Sequence, residues 1–261
     1  MHVRAGVACG LAALAIVGCS SSKRSGAASD SGAAAACTEP SGLTIIFSPM
    51  YSAIIPGDDT HTFELPVIAS GESAASAKWH VSDTTAVAVE NDALSGGVLL
   101  TMLSTAKSPG APVTITAAAG AACGTAVLNI TVATDADWSA GEARYNDRVA
   151  VDGGPRAACT DCHAPRVDAG LGFNDVAHTP EQAGGFSDSQ LLGIIQNGEI
   201  PDGGYFDPTI VNYATWQGFH RWNLTPAEQA GIVVYLRSLV PTAQGGTANF
   251  GGSGARAPDA G

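Results

Sequence analysis

The chain has 261 residues, 45% of them hydrophobic and 14% charged, and its 12 basic against 24 acidic residues leave a net charge of −12. That length accommodates one large or two ordinary domains with cores of their own. The apolar fraction excludes a disordered chain, and the acidic balance excludes a phosphate-backbone partner, so no nucleic acid is expected. Beyond residue 20 no apolar run approaches the roughly 20 residues of a bilayer-spanning helix, which excludes a polytopic membrane protein.

The first 19 residues predict an export signal: Arg4 gives a positive start and Val7 to Val17 an apolar stretch of signal-core length. The stretch ends in Ile16-Val17-Gly18-Cys19, which resembles the lipobox of bacterial lipoproteins. The resemblance implies that Cys19 is acylated on sulfur and becomes the first residue after cleavage. Several acyl chains together anchor stably where one does not. Such a protein contacts a membrane through its lipid anchor, in the cell envelope, on the periplasmic side or at the outer membrane. The alternative is an ordinary secretory signal with an incidental cysteine. Residues 20–36, rich in Ser, Ala and Gly, read as a flexible tether.

With Cys9 in the signal and Cys19 lipidated, Cys37, Cys123, Cys159 and Cys162 remain. An exported protein can form disulfides, and Cys37 and Cys123 stand near opposite ends of one segment, so they are expected to pair.

Residues 37–134 read as β structure. Short β-branched or aromatic runs occur at 44–47, 62–65, 78–81, 113–116 and 127–132, punctuated by Pro56-Gly57, Ser95-Gly96-Gly97 and Pro109-Gly110. Strands at that spacing predict an all-β sandwich. The stretch from Trp79 to Val89, with the later Thr-Ile-Thr-Ala and Leu-Asn-Ile-Thr-Val strands, resembles a bacterial Ig-like domain. Trp79 is read as core. His61 and His80 lack partners at metal-ligand spacing and are read as structural or surface residues.

From residue 135 the pattern turns helical. Ser139 and Glu142 have capping-box spacing and predict a helix from there to about 149. Ser187 and Gln190 open a second helix that Gly198 stops. Thr225, Pro226 and Glu228 open a third, whose apolar Ile232, Tyr235, Leu236 and Leu239 recur at helical period before Pro241. Residues 243–261 are expected to be a disordered tail.

Within the helical part, Cys159-Thr160-Asp161-Cys162-His163 has the form C-x-x-C-H. Two thiols three positions apart on a turning backbone can reach both vinyl groups of one haem, and the adjacent imidazole then lies under the iron. A redox disulfide calls for a βαβ setting, whereas these surroundings are loop and helix. A structural zinc site needs a fourth ligand, and no second C-x-x-C exists.

The region from Trp138 to Val240 resembles a small single-haem cytochrome c domain with its attachment motif near the start. The matching pieces, in order, are Gly141-x-x-x-Tyr145, residues 159–163, residues 186–198 and residues 224–239. The resemblance implies one covalent haem c on Cys159 and Cys162, with His163 as proximal ligand. It also implies that the first and last helices cross at Gly141, sealed by Tyr145 and Tyr235. The fold class expected for the whole chain is therefore multidomain: an all-β Ig-like sandwich (37–134) followed by an all-α cytochrome c domain (135–242).

One departure concerns the second axial ligand, which that family usually draws from a methionine. The methionines here are Met1, Met50 and Met102, all upstream of the domain. His220, set among Trp216, Phe219 and Trp222 and shortly before the cap at Thr225, is the first candidate for distal ligand. His178 is the rival, and an open or water-bound iron is the third possibility. Imidazole is an established haem ligand.

The function expected is electron transfer by an exported, lipid-anchored cytochrome with a redox partner protein, not catalysis, and the sandwich would act as spacer or adhesion unit. Residues 136–242 carry 6 basic and 13 acidic residues, net −7, which suits a basic partner. The competing expectations are a haem enzyme or sensor that binds peroxide or gas at an open distal site, and a surface adhesion protein. No acid–base pair stands beside the motif, although His178 and Arg166 could be recruited.

Overall fold

Alternation of inward and outward residues along Val98–Met102, Val113–Ala119 and Ala122–Val132, with consecutive buried residues in Met50–Ile54 and Glu64–Val67, builds the β half. The computed structural model describes residues 37, 39–92, 97–147, 150–151, 154–155, 158–163, 178–199 and 222–241. Its nine β-half strands are β1 (Thr44–Ile45), β2 (Met50–Ile54), β3 (Glu64–Val67), β4 (Ala69–Ser70), β5 (Lys78–Val81), β6 (Val87–Asn91), β7 (Val98–Met102), β8 (Val113–Ala119) and β9 (Ala122–Val132). Along β7 Val98, Leu100 and Met102 point inward, and along β8 Val113, Ile115 and Ala117 do the same. This two-residue period is what a half-buried strand requires. Each fully buried Val, Leu or Ile contributes on the order of 1.5–3 kcal/mol.

Seven of these strands form two facing sheets, and β1 pairs antiparallel with β4 in a separate two-stranded sheet. Of the facing sheets, one runs β2-β9-β8-β5, with β2 parallel to β9 and the other neighbours antiparallel; the second runs β3-β7-β6, all antiparallel. Setting the third, seventh and sixth strands in one sheet and the fifth, eighth and ninth in the other gives an Ig-like β-sandwich. Val81, Val87, Leu100, Ile115 and Leu128 fill the space between the sheets, and Trp79 packs at the margin of that core. Its N-terminal end is stitched to β9: Ser41 and Cys123 exchange backbone hydrogen bonds of 2.7 and 2.8 Å, and Cys37 and Cys123 are joined by a disulfide with Cα atoms 5.9 Å apart.

Several local expectations shift. The run 44–47 forms a strand only over Thr44–Ile45, because Phe47 adopts φ 62°, a left-handed conformation a strand cannot include. The run 62–65 pairs over Glu64–Val67 instead, and β2 and β7 were not among the expected strands. β2 reads Met-Tyr-Ser-Ala-Ile, and only its parallel pairing with β9 makes it a strand.

The helical half comprises α1 (Asp135–Asn146), α2 (Thr160–His163), α3 (Pro180–Gly184), α4 (Asp188–Asn197) and α5 (Pro226–Arg237). It also holds a two-residue ladder, β10 (Ala150–Val151) against β11 (Gly154–Pro155), so the expectation of an all-α part is too strict. α1 begins four residues before the expected start. Thr134 caps it, its hydroxyl accepting from Asp137 N–H while the Asp137 carboxylate accepts from Thr134 N–H. Asp135 and Asp137 also place negative charge in the first turn, where the helix dipole favours it. The capping boxes at Ser187/Gln190 and Thr225/Glu228 form as the spacing predicts, and Gly198 closes α4 in the left-handed conformation, φ 66°.

The two halves share packed surface. Val234 of α5 belongs to the core of the sandwich, with Trp138 of α1 against its edge. Arg237, 1% exposed, donates to the Ser52 carbonyl of β2 (3.1 Å), the Thr131 hydroxyl of β9 (3.0 Å) and the Phe186 carbonyl before α4 (3.0 Å). It also pairs with the Asp188 carboxylate at 2.7 Å. One guanidinium thus ties both sheet strands to two helices.

Candidate functional site

The C-x-x-C-H segment closes a single helical turn, in which His163 N–H donates to the Cys159 carbonyl at 2.8 Å. The turn sets positions 159 and 162 three residues apart with His163 at its end. Cys159 is buried in an apolar cluster with Tyr145, Leu191, Trp222, Ile232 and Leu236. The turn hangs from α1: the Tyr145 hydroxyl donates to the His163 carbonyl at 3.1 Å. Burial pushes the Tyr145 phenol well above its ordinary range, with Cys159 and Tyr235 adding to the rise, so it remains a protonated donor.

α1 and α5 cross where neither helix has a side chain. A Cβ on Gly141 would stand 2.0 Å from the Gly231 carbonyl oxygen, and one on Gly231 would stand 2.2 Å from that of Asp137. Tyr145 and Tyr235 meet beside the crossing with ring centroids 5.1 Å apart. Gly141, Tyr145 and Tyr235 therefore stand where the expected helix crossing needs them. The second glycine, Gly231, was not singled out in the sequence, where it is one small residue among several on an apolar helix.

His178 lies beside His163. The two rings stack with centroids 3.9 Å apart and planes 16° from parallel. His178 precedes Thr179, which caps α3, and α3 lies on the sandwich: a Cβ on Gly184 would meet the Leu65 side chain at 2.6 Å and the Tyr51 carbonyl at 3.2 Å. The sandwich therefore fixes the segment that carries His178. Tyr145 also faces His178, at 5.8 Å between centroids.

His61 and His80 fall outside this site. His61 binds the Asp58 carboxylate and lies over Trp138, ring centroids 4.0 Å apart. Hydrogen bonds from Thr60, then from His61, hold the Asp58 carboxyl far below the usual carboxylate range. His80 is exposed on β5. Trp222, expected in an aromatic wall, is buried under the Arg144 guanidinium, 3.8 Å from the ring centroid. His220, Arg166, Trp216, Phe219 and Cys19 lie outside the described residues, as do residues 1–36 and the tail 243–261.

Among the described residues four buried charged residues, Asp92, Arg144, Glu181 and Arg237, were not singled out in the sequence. Arg237 had a signal, since it stands three residues after Val234 and four after Val233, on the buried stripe of its helix. Arg144 and Glu181 had none, because their burial depends on Trp222 and on the sandwich. Among the described residues no group of three or more His, Cys, Asp or Glu side chains is gathered for a metal ion.

No protein-family model matches the chain, and no curated protein matches it in sequence. Solved structures similar to it include a chimeric titin Z1Z2 carrying an exogenous decorin peptide, with 19% identity over 37% of this chain and 99% of that one, TM-score 0.27. The titin domains Z1Z2 in complex with telethonin give 19% identity over 37% of this chain and 50% of that one, TM-score 0.27. A complex of titin with the obscurin-like 1 Ig domain gives 17% over 35% and 94%, TM-score 0.27. The Ig-like β half stands on its own strand order.

Proposed function

We propose that the helical half is a single-haem c-type cytochrome domain of an exported, lipid-anchored electron carrier, and that the Ig-like sandwich is its rigid mount. The observation that carries this reading is the helical turn at 159–163, which closes on the Cys159 carbonyl and is held at its far end by Tyr145. The donor set, two cysteines and a histidine in one turn, is the chemistry that covalent haem attachment uses. The apolar cluster around Cys159 suits the face of a flat apolar macrocycle.

In this reading Cys159 and Cys162 hold the group by thioether bonds and His163 offers the proximal nitrogen. A bound haem supplies an iron that accepts or gives one electron. The chain's own work is positional. Tyr145 fixes the carbonyl of the ligand residue, and the Gly141–Gly231 crossing brings α1 and α5 close enough to present Tyr145 and Tyr235. The face-to-face stack of His178 on His163 favours His178 as a packing neighbour of that ring, so a second nitrogen ligand for a bound haem would come from elsewhere. His220 is then the first candidate for the distal position. The net charge of −7 over residues 136–242 favours a basic redox partner.

The test is an absorption spectrum, oxidised and reduced, of protein from a host that attaches haem c, beside His220→Ala and the Cys159→Ser/Cys162→Ser pair. Covalent haem in the parent and none in the double variant is expected, with a low-spin spectrum that turns high-spin in His220→Ala. Protein that matures without covalent haem would overturn the reading. A high-spin parent would replace the carrier by an enzyme or sensor with an open iron, to be probed with peroxide and gas ligands.

A further inference from the structure

Glu181 is an unusual residue to find where it is. It stands in the first turn of α3, is 3% exposed, and neither carboxyl oxygen has a well-formed hydrogen bond among the described residues. α3 is pressed onto β2 and β3 through Gly184, so the carboxyl is shut in between helix and sandwich. Asp92, itself buried just after β6, is a like charge acting on it. A carboxyl this deeply buried, with only weak help from its own backbone and the Thr179 hydroxyl, is tolerated better in its neutral form than as an anion.

We propose that Glu181 is a positioning residue whose proton latches α3 to the sandwich, so that its loss loosens the segment holding His178 against His163. The latch rests on geometry that does not depend on a haem. Thr179, 1% exposed, caps α3 directly after His178, so displacement of α3 moves the histidine with it. The titratable or charged groups on the elements packed against α3 are Tyr51 of β2, Glu64 of β3, and Glu228, Tyr235 and Arg237 of α5, with Asp92 after β6 and His178, stacked on His163, at the start of α3 itself. Arg237 is committed to Asp188, Ser52, Thr131 and Phe186. Burial pushes the Glu181 carboxyl up to about 7 against a smaller lowering by its own backbone and the Thr179 hydroxyl, and the charge of Asp92 adds the least.

The direction follows from linkage. The latched state holds the proton more tightly than the released state, whose carboxyl has an ordinary value near 4.5. The latch is therefore at full strength below about pH 4.5, weakens by up to about tenfold per pH unit as pH rises, and levels off above about 7.

The experiment is amide hydrogen exchange on the full chain without haem, corrected for intrinsic rates, from pH 4.5 to 8. The amides of Ala183, Gly185 and Phe186, bonded to the carbonyls of Thr179, Gln182 and Ala183, report the latch and β8 serves as internal reference. The parent should lose between ten- and hundredfold protection at these amides relative to β8 between pH 5 and 7, and Glu181→Gln should keep its protection flat. Asp92→Asn should retain the onset of the loss but level off at lower pH with a smaller total, which keeps the proposal testable if Glu181→Gln does not fold. The ring-proton contact between His163 and His178, followed by NMR, should weaken over the same range in the parent and not in Glu181→Gln. Equal pH dependence in the parent and Glu181→Gln, or none in the parent, would overturn it. Because no haem is used, failure here leaves the cytochrome reading intact, and failure of that reading leaves the latch intact.

Discussion

The β half and the helical half solve the problem of burial differently. The sandwich fills its core between two sheets, largely from alternating positions of β7, β8 and β9, and its N-terminal end is covalently tied to β9. The helical half has a smaller core around Tyr145, Cys159, Leu191 and Ile232, and it lends Val234 to the sandwich and borrows support in return. Its buried charges make the dependence visible. Both terminal nitrogens of Arg237 reach groups from β2, β9, α4 and the turn before it, leaving only its Nε unpaired, whereas Glu181 is shut in with no comparable partners. Among the described residues the helical core is the smaller of the two, and the surface docked on the sandwich controls its local geometry.

Four changes would break or sharpen this contrast. The largest effect is expected from Cys37→Ser/Cys123→Ser. The bond spans 86 residues, and releasing that loop should lower stability by about 4–5 kcal/mol in the chain-entropy account, read by denaturant titration. Should the helical half lean on the sandwich as described, helix and sheet signals will fall in one shared transition; two separate transitions would refute the dependence.

Next, Arg237→Met removes the guanidinium from three strand and loop acceptors and from Asp188 while keeping much of its volume. A loss of about 3 kcal/mol is expected, with protection lost first at α4 and α5 by hydrogen exchange. An unchanged Tm would mean that the halves are held by apolar packing alone. Gly231→Ala should cost about 1–3 kcal/mol, since its Cβ would collide with the Asp137 carbonyl and neither backbone can yield cheaply. The same variant should weaken the Tyr145–Tyr235 contact while leaving the β signal in circular dichroism intact. The smallest effect, about 1 kcal/mol, is expected from Thr225→Ala, which removes the cap that accepts from Glu228 N–H at 3.3 Å. Thermal denaturation would measure it, and a shift as large as that of Gly231→Ala would show that the cap does more than end a helix.

The caps and the alternation were legible because they are local. Ser187 with Gln190, Thr225 with Glu228, and the β8 and β9 runs each carry their signal within a few residues. The start of α1 was misplaced for the same reason: Ser139 and Glu142 have the right spacing, but Thr134 and Asp137 have it too and stand at the sandwich exit, where the chain must turn. β2 was missed because its partner β9 lies 78 positions later in register, Met50 opposite Leu128. At the candidate site, Cys159, Cys162 and His163 were identifiable by spacing alone, while the stacking of His178 on His163 required α3 to be seated on Leu65 and Tyr51.

By itself the sequence determined the chemistry on offer and the periods of its elements: an acidic surface, a C-x-x-C-H turn, strands that alternate and helices that are capped. Those properties depend on residue type and on neighbours within a turn or a strand. Tertiary structure alone decided which charges would be buried, which glycines would touch and which histidine would face His163. Each of those outcomes depends on a partner tens of residues distant, and a local pattern carries no information about the dielectric or the donors that such a partner brings.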